Sequence, residues 1–157
     1  MSPQDSIRSV LEFKGGQIWS IHPDATVYEA LERMAEKEIG CMPVLDESGK
    51  LAGLISERDY ARKVILQGKH SRDTRVSEIM TSSVIYVTPS DTVEGCMRIM
   101  TNARVRHLPV LEGSRLAGII SIGDLVNWII TSQEEIITSQ EEFIAHLRNY
   151  IAGSYPV

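Results

Sequence analysis

Two Ser-x-x-Asp sequences follow apolar runs in this chain, one at Ser56 and Asp59 and the other at Ser121 and Asp124. A serine after a strand, with a carboxylate three residues later, is typical of a helix start: the serine caps the helix and the carboxylate favours its positive end. An aspartate in such a place can also accept hydrogen bonds from both hydroxyls of a ribose. The two interpretations are compatible, and the spacing leaves both open.

Three basic side chains, Arg104, Arg106 and His107, precede the apolar run 108–111. The run is typical of a buried strand, which needs no cations at its start, so they form a solvated edge, a nucleic-acid patch or a pocket for an anion. A net charge of -5 and only 6% aromatic residues disfavour nucleic acid. Arginine and histidine are suitable donors to phosphate oxygens. We therefore interpret Arg106 and His107 as a phosphate clamp and Arg104 as a solvated helix end.

The elements that position these residues occur twice in the chain. Residues 23–45 align with 89–111 and residues 51–65 align with 116–130, with fourteen identities in 38 positions. Average composition would give roughly two or three. In this alignment Gly40 and Cys41 stand where Arg106 and His107 stand in the second copy. The strand itself therefore does not demand the charges, and the second site is the one equipped for a phosphorylated ligand.

Each copy predicts the element order β-α-β-β-α. A β-rich run, 17–21 or 83–88, precedes a proline and then a helix with apolar residues at i, i+3, i+4 and i+7. Two apolar runs joined by a hairpin turn follow, and then a second helix. A unit of about 50 residues buries little apolar surface alone. We expect an α/β (α+β) fold in which the two units pack sheet to sheet with pseudo-twofold symmetry.

The duplication divides the chain into five parts. These are an N-terminal segment (1–17), a first repeat (18–68), a linker (69–82), a second repeat (83–131) and a C-terminal helical tail (132–157).

The tail carries a seven-residue periodicity. One column of the stripe contains Ile130, Ile137, Ile144 and Ile151. The adjacent column contains Ile129, Ile136, Phe143 and Tyr150. Such a heptad stripe indicates a coiled-coil seam or an amphipathic helix packed on its own domain. Because the span is short for an isolated coiled coil, packing on the pair or across a dimer is favoured.

Composition and missing motifs narrow the function classes. The 157 residues are 43% hydrophobic and 24% charged, as in an ordinary globular protein, and two cysteines do not make a disulfide framework. We find no signal peptide and no apolar run long enough for a bilayer, and expect a cytoplasmic protein that binds no membrane. No phosphate-binding glycine loop, zinc-protease motif or nucleophile elbow occurs, so we expect no enzyme. His22 has no partner at ligand spacing, so no metal is required.

The repeated unit, its h-Pro-Val strand and its ending Gly-h-h-Ser-x-x-Asp resemble the cystathionine β-synthase (CBS) domain, here as one tandem pair, a Bateman module. The resemblance covers about residues 18–130. Within that family, "LISERDYARKV", "RVRHLPV", "SIGDLV" and "LRNYIAGSY" are similar to free-standing single-pair proteins of bacteria and plant mitochondria. The resemblance implies a homodimeric sensor that binds adenine nucleotides or related adenosyl ligands in clefts between the two units.

The resemblance assigns the ribose to Asp59 and Asp124. The predicted nucleotide-binding set of the second repeat is Thr88, Arg106, His107, Pro109, Ser121 and Asp124. That of the first repeat is His22, Met42, Pro43, Ser56, Arg58 and Asp59. Thr88 and His22 precede the prolines that begin the helices, and Pro109 is a candidate wall for an adenine. Arg58, which has Gly123 as its counterpart, is placed toward the central cleft.

Two functions follow from these predictions. The first is a non-catalytic signal-transduction module that senses energy or redox state by binding AMP, ADP, ATP or NAD(H), chiefly at the second-repeat site. Ligand occupancy would change its affinity for a partner enzyme or redox protein. The alternative is a structural dimerisation or protein-interaction module without ligand sensing.

Overall fold

The structure is a computed structural model that describes residues 2–151. The helices are α1 (Ile7–Lys14), α2 (Val27–Lys37), α3 (Glu57–Lys63), α4 (Val76–Ile79), α5 (Val93–Ala103) and α6 (Ile122–Ile151). The strands are β1 (Cys41–Leu45), β2 (Leu51–Ser56), β3 (His107–Glu112) and β4 (Arg115–Ser121). Strands β1 and β2 form one antiparallel sheet, and β3 and β4 form another. The predicted mixed fold of two repeats and a C-terminal helix is confirmed.

The first predicted strand of each repeat is reduced to a single bridging residue. Ile21 pairs in parallel with Val44, and Val87 pairs in parallel with Val110. The Ile21 N–H donates to the Pro43 carbonyl at 3.1 Å. The next residue already begins the turn into α2, and the proline after it has no N–H to donate. The turn therefore bounds the bridge on its C-terminal side, while residues 17–20 and 83–86, before the two bridges, form no strand.

The first helix of each repeat has a threonine cap. Thr26 Oγ1 accepts the Glu29 N–H, and the Glu29 carboxylate accepts the Thr26 N–H, which completes a capping box on α2. Thr92 Oγ1 accepts the Gly95 N–H on α5. That helix ends at Arg104, which is exposed and has φ 55. The interpretation of Arg104 as a solvated helix end is confirmed.

Each repeat has its own hydrophobic core, and a segment outside the repeat completes it. Val76 and Ile79 of α4 fill the core of the first repeat, whereas Ile7 and Val10 of α1 fill that of the second. The backbone contacts match: the Val76 N–H donates to a carbonyl before α2, and the Ile7 N–H donates to the equivalent carbonyl before α5, each at 2.8 Å. Helix α1, set apart in the sequence-based division, is therefore an integral part of the second unit.

The second helix of repeat 2 and the predicted tail are one continuous helix, α6. Its first turns bury Leu125 and Trp128 in the core, whereas farther along Ile137 is 53% exposed and Phe143 is 62% exposed. The side chains at 150 and 151, and all of residues 152–157, lie outside the described residues. Within residues 2–151, no helix combines the length and the apolar character needed to cross a bilayer.

Candidate functional site

A cleft of about 570 Å³ opens between the two repeats. This volume falls within the usual range for small-molecule sites. Three parts of the chain line it: residues 14–19 at the end of α1, residues 38–41 with Pro43 from the first repeat, and the β4 end of the second repeat. The last part contributes Ser121 and Asp124, while His107 stands at the start of the neighbouring strand. A ligand in this cleft would contact both repeats and the N-terminal segment together.

Ser121 and Asp124 form a reciprocal cap at the start of α6. The Ser121 N–H donates to Asp124 Oδ2 at 2.7 Å, and the Asp124 N–H donates to Ser121 Oγ at 3.1 Å. Lys14 Nζ also donates to Oδ2 at 2.7 Å. Burial opposes ionisation of Asp124, but the bonds from Lys14 and Ser121 outweigh it and hold the pKa of this carboxyl below its ordinary value. The capping interpretation is confirmed, and the ribose interpretation stays a prediction.

Asp59 has the same capping geometry but a different lysine. Its Oδ2 accepts both the N–H and the hydroxyl of Ser56 at 3.0 Å. Lys63 Nζ lies 2.9 Å from Oδ1, one helical turn along the same helix, and also donates to the Ile79 carbonyl. In the repeat alignment Trp128 stands at the place of Lys63, so helix α6 supplies no such lysine. The ammonium beside Asp124 comes from α1 instead.

His107 is the member of the predicted phosphate clamp that lies in the cleft. It is half-buried, and its pKa is lowered chiefly by burial, partly offset by the negative charge of Asp124. A lowered pKa leaves the imidazole neutral at neutral pH, able to donate one hydrogen bond to a ligand. Arg106 is exposed and does not line the cleft; its backbone carbonyl accepts the Ile122 N–H at 2.9 Å. Successive residues near a strand point in opposite directions, so one of the pair faces away.

The other predicted residues are spread over several places. Pro43 lines the cleft, Met42 is fully buried in the core of the first repeat, and Pro109 is buried opposite Ile119 in the sheet. Thr88 is exposed and donates through Oγ1 to Asp91 at 3.0 Å.

His22 and Arg58 lie outside the cleft as well. His22 lines a separate groove along α2, and Arg58 is exposed at the first turn of α3. Of the two predicted sets, the structure therefore brings together Pro43, His107, Ser121 and Asp124. Within the described part of the chain, no group of three or more His, Cys, Asp or Glu side chains is placed to share a metal ion.

Sequence reasoning missed several side chains that line the cleft, among them Lys14, Trp19 and Cys41. Lys37 Nζ lies 4.1 Å from the centre of the Trp19 ring. Burial, helped by the negative charge of Asp59, raises the pKa of Cys41 to about 12, so its thiol stays protonated and presents a weakly polar wall. The sequence does contain one signal for Lys14. The repeat alignment sets Trp128 against Lys63, so Asp124 has no lysine on its own helix.

The comparisons with known proteins agree on one family. The CBS domain model matches residues 16–65 and 76–131, more than half of the chain. The CBS domain-containing protein CBSX3, mitochondrial, of Arabidopsis thaliana is 38% identical over 145 residues, which cover 90% of this chain and 66% of that protein. The chain thus spans slightly less than two thirds of this relative. The CBS domain-containing protein YhcV of Bacillus subtilis is 32% identical over 74% of this chain and 82% of its own length.

Solved structures show the same likeness. A protein with CBS domains from Burkholderia ambifaria is 46% identical, with a TM-score of 0.78, covering 82% of this chain and 96% of that one. The CBS domain pair of protein MJ0100, solved in complex with 5′-methylthioadenosine and S-adenosyl-L-methionine, is 25% identical with a TM-score of 0.73. It covers 83% of this chain and 99% of its own.

Proposed function

Because this chain belongs to the CBS domain family, as one tandem pair of CBS domains, we propose that it is a non-catalytic regulatory module that binds an adenosyl ligand in the cleft at Asp124. The observation that carries this proposal is the position of that carboxylate. It lies at the carboxyl end of β4, on the wall of a cleft of about 570 Å³, and its side chain is 22% exposed.

The chemistry of the cleft suits a nucleoside. A carboxylate accepts hydrogen bonds from a ribose diol, and the flat or apolar surfaces of Trp19, Pro43 and Ile119 suit an adenine ring. AMP, ADP, ATP and NAD(H) all present the same adenosyl half, so the same contacts serve each of them. The ligands in the MJ0100 complex are adenosyl compounds too, which supports this ligand class.

Isothermal calorimetry with AMP, ATP, NAD, NADH and S-adenosylmethionine tests the proposal. At least one should bind, and Asp124→Asn should weaken it by tenfold or more, because an amide loses the charge-assisted bonds to the diol. Asp59→Asn should weaken it less. Asp46→Asn, in the hairpin between β1 and β2 and outside the cleft, is the matched control. The proposal fails if no ligand binds, or if all three variants lose the same affinity.

Sensing requires that the ligand favour one conformation over another. The cleft walls belong to both repeats and to the segment after α1, so an occupied cleft changes the free energy of their arrangement. We place the readout in a partner enzyme or redox protein whose affinity follows that arrangement. Redox sensing predicts that NAD and NADH differ at least tenfold in dissociation constant, whereas energy sensing predicts such a difference between AMP and ATP. If NAD and NADH had equal dissociation constants, and AMP and ATP did too, both forms of sensing would be contradicted.

The exposed stripe on α6 favours a second role, homodimerisation. It includes Ile130, Ile137 and Ile144, each about half exposed and seven residues apart. Light scattering should give a dimer for the chain and a monomer for Ile137→Glu, while Thr138→Glu, on another face of α6, should remain dimeric. A monomeric parent chain, or a dimeric Ile137→Glu variant, would overturn this role. The alternative of a dimerisation module without sensing predicts the dimer and no ligand binding. A cytoplasmic location stays a prediction.

A further inference from the structure

Asp59 and Asp124, the aspartates of the two Ser-x-x-Asp motifs, each pair with a lysine, but the two lysines come from different parts of the chain. Lys63 is the last residue of α3, four residues after Asp59 on the same helix, and its ammonium also donates to the Ile79 carbonyl at 2.7 Å. Lys14 is the last residue of α1, and its ammonium donates to the Ile119 carbonyl at 3.0 Å as well as to Asp124. Lys14 itself lines the ligand cleft, and its side chain is 40% exposed.

Lys14, unlike Lys63, reaches its aspartate from a separate element of the chain. Gly15 and Gly16 follow it at φ 58 and φ 92, in backbone conformations that other residues adopt rarely. Its ammonium can leave Asp124 by rotation of its own long side chain, with no change to the core residues Ile7 and Val10. Movement of Lys63 would likewise break an ion pair and a bond to a carbonyl, but neither Lys63 nor Asp59 lines the cleft.

A ribose diol and Lys14 compete for the same carboxylate. The bonds from the Ser121 N–H and from Lys14 both end on Oδ2 of Asp124. A diol that engages both carboxylate oxygens must therefore displace the ammonium. Displacement leaves a cation without its counter-ion in a cleft whose other charged lining residue is Glu38. An unpaired, partly desolvated charge is costly unless an anion takes the place of the carboxylate.

We propose that Lys14 is a displaceable occupant of the cleft that selects phosphorylated adenosyl ligands. In the empty cleft it neutralises Asp124; in the occupied cleft the ribose takes the carboxylate and the ammonium of Lys14 binds the phosphate on the ribose 5′ carbon. Adenosine must break the ion pair without this compensation. The inference rests on the proposed function, and it assigns to Lys14 the phosphate contact for which Arg106, outside the cleft, is not placed.

The test is calorimetry with AMP and adenosine on the full chain and three variants. Lys14→Met keeps the length of the side chain and removes its charge, so AMP should bind more weakly and adenosine more tightly. The preference for AMP over adenosine should fall at least about tenfold, since a charge-assisted hydrogen bond is lost for one ligand only. Lys14→Arg should retain the preference. Lys63→Met, which removes the lysine paired with the other motif aspartate, is the matched control and should retain it too.

The outcomes separate this inference from the proposed function. If the parent chain binds neither ligand, the role of Lys14 fails, and the proposed function fails with it only if ATP, NAD, NADH and S-adenosylmethionine do not bind either. If the parent chain binds and Lys14→Met changes both affinities by the same factor, the proposed function stands and Lys14 has only a structural role. Loss of preference in Lys63→Met as large as in Lys14→Met would also overturn the selection by Lys14.

Discussion

The two repeats have the same order of elements, but the negative charge of the motif aspartate is neutralised by a lysine from a different part of the chain in each. In the first, the carboxylate at the end of the second strand is neutralised by Lys63 from its own helix. In the second, the equivalent helix position holds Trp128, whose ring packs edge to face on Phe13 at 5.3 Å. That contact holds the end of α1 against α6, where Lys14 reaches Asp124. In the second repeat Trp128 thus stands where the first repeat has Lys63, and Lys14 of α1 supplies the positive charge beside the aspartate.

The comparison shows that equal folds need not give equal sites. Helices α4 and α1 complete the two cores in the same way, but α4 has four residues and α1 has eight. The longer helix carries a lysine and two glycines to the cleft wall, whereas the shorter one leads into an irregular segment paired with β2. The asymmetry of the cleft therefore arises in the segments that precede each repeat, each of which completes the core of the other repeat.

The largest expected losses of stability come from shortening one buried side chain in each of the two cores, which are expected to respond equally. Ile55 and Ile120 occupy matching positions in β2 and β4, and both are fully buried. Each change to alanine should lower the free energy of unfolding by about 3 kcal/mol, the usual cost of a large cavity in a packed core. Urea denaturation measures both. A loss of under about 1 kcal/mol at one site would show that its core is the less tightly packed, and the equivalence would fail.

A smaller loss of stability should distinguish the two repeats at the strand glycines Gly53 and Gly118, where the segment that completes each core lies against the sheet. A Cβ at Gly53 would lie 2.6 Å from the Thr81 carbonyl oxygen, whereas a Cβ at Gly118 would lie 2.7 Å from Cδ2 of Leu11. The first neighbour is backbone held by two hydrogen bonds to Leu54, and the second is the end of a flexible side chain.

Gly53→Ala should therefore cost roughly 2–3 kcal/mol and Gly118→Ala about 1 kcal/mol, within the usual range for overpacking. Chemical denaturation of the two variants beside the parent chain gives the difference. If Gly118→Ala cost as much stability as Gly53→Ala, or more, the distinction between contact with backbone and contact with a flexible side chain would be wrong.

Much of the fold follows from the duplicated pattern. The positions shared by the two copies are those that any such unit needs: the capping threonines, the prolines of the strands and the Ser-x-x-Asp helix starts. Comparison of the copies also identified His107 as an addition that packing does not require, and the structure places it on the cleft wall. Periodicity and turn chemistry were sufficient because these features are local.

The parts that sequence could not supply depend on long-range contact. Nothing local shows that α1 completes the distant second repeat, because Ile7 and Val10 match Val76 and Ile79 in character and spacing rather than in identity. Lys14 was missed for the same reason, since 110 residues separate it from Asp124. Arg106 was grouped with His107 because they are adjacent, although neighbouring side chains point apart. The first strands were predicted too long: of residues 17–21 and 83–88, only Ile21 and Val87 pair with a strand.

The helix caps offer a finer test of the comparison. Thr26→Ala and Thr92→Ala should each lower stability by about 1 kcal/mol, because each leaves a helix N–H without its acceptor. The loss at Thr26 should be slightly greater, since its capping box with Glu29 has no equivalent at Gly95. Thermal unfolding of both variants would show the order. Equal losses would mean that the glutamate adds nothing to the cap of the first repeat.

The smallest effect is a pH dependence that the second repeat has and the first lacks, because Cys41 stands at the place of His107. The pKa of His107 is lowered from 6.5, chiefly by burial. The unfolded chain therefore binds this proton at a higher pH than the folded one, so its contribution to stability is complete above pH 6.5 and is lost as the pH falls through the lowered pKa. The carboxyl of Asp124, whose pKa is lowered from 3.8, acts in a more acidic range.

Urea midpoints between pH 7.5 and 5.5 should thus fall less steeply for His107→Gln than for the parent chain, with the exposed His70→Gln as control. If the His107→Gln slope matches that of the parent, burial does not hold the imidazole neutral. The imidazole would then titrate as in the unfolded chain, and the cleft would contain a second cation beside Lys14 only below pH 6.5.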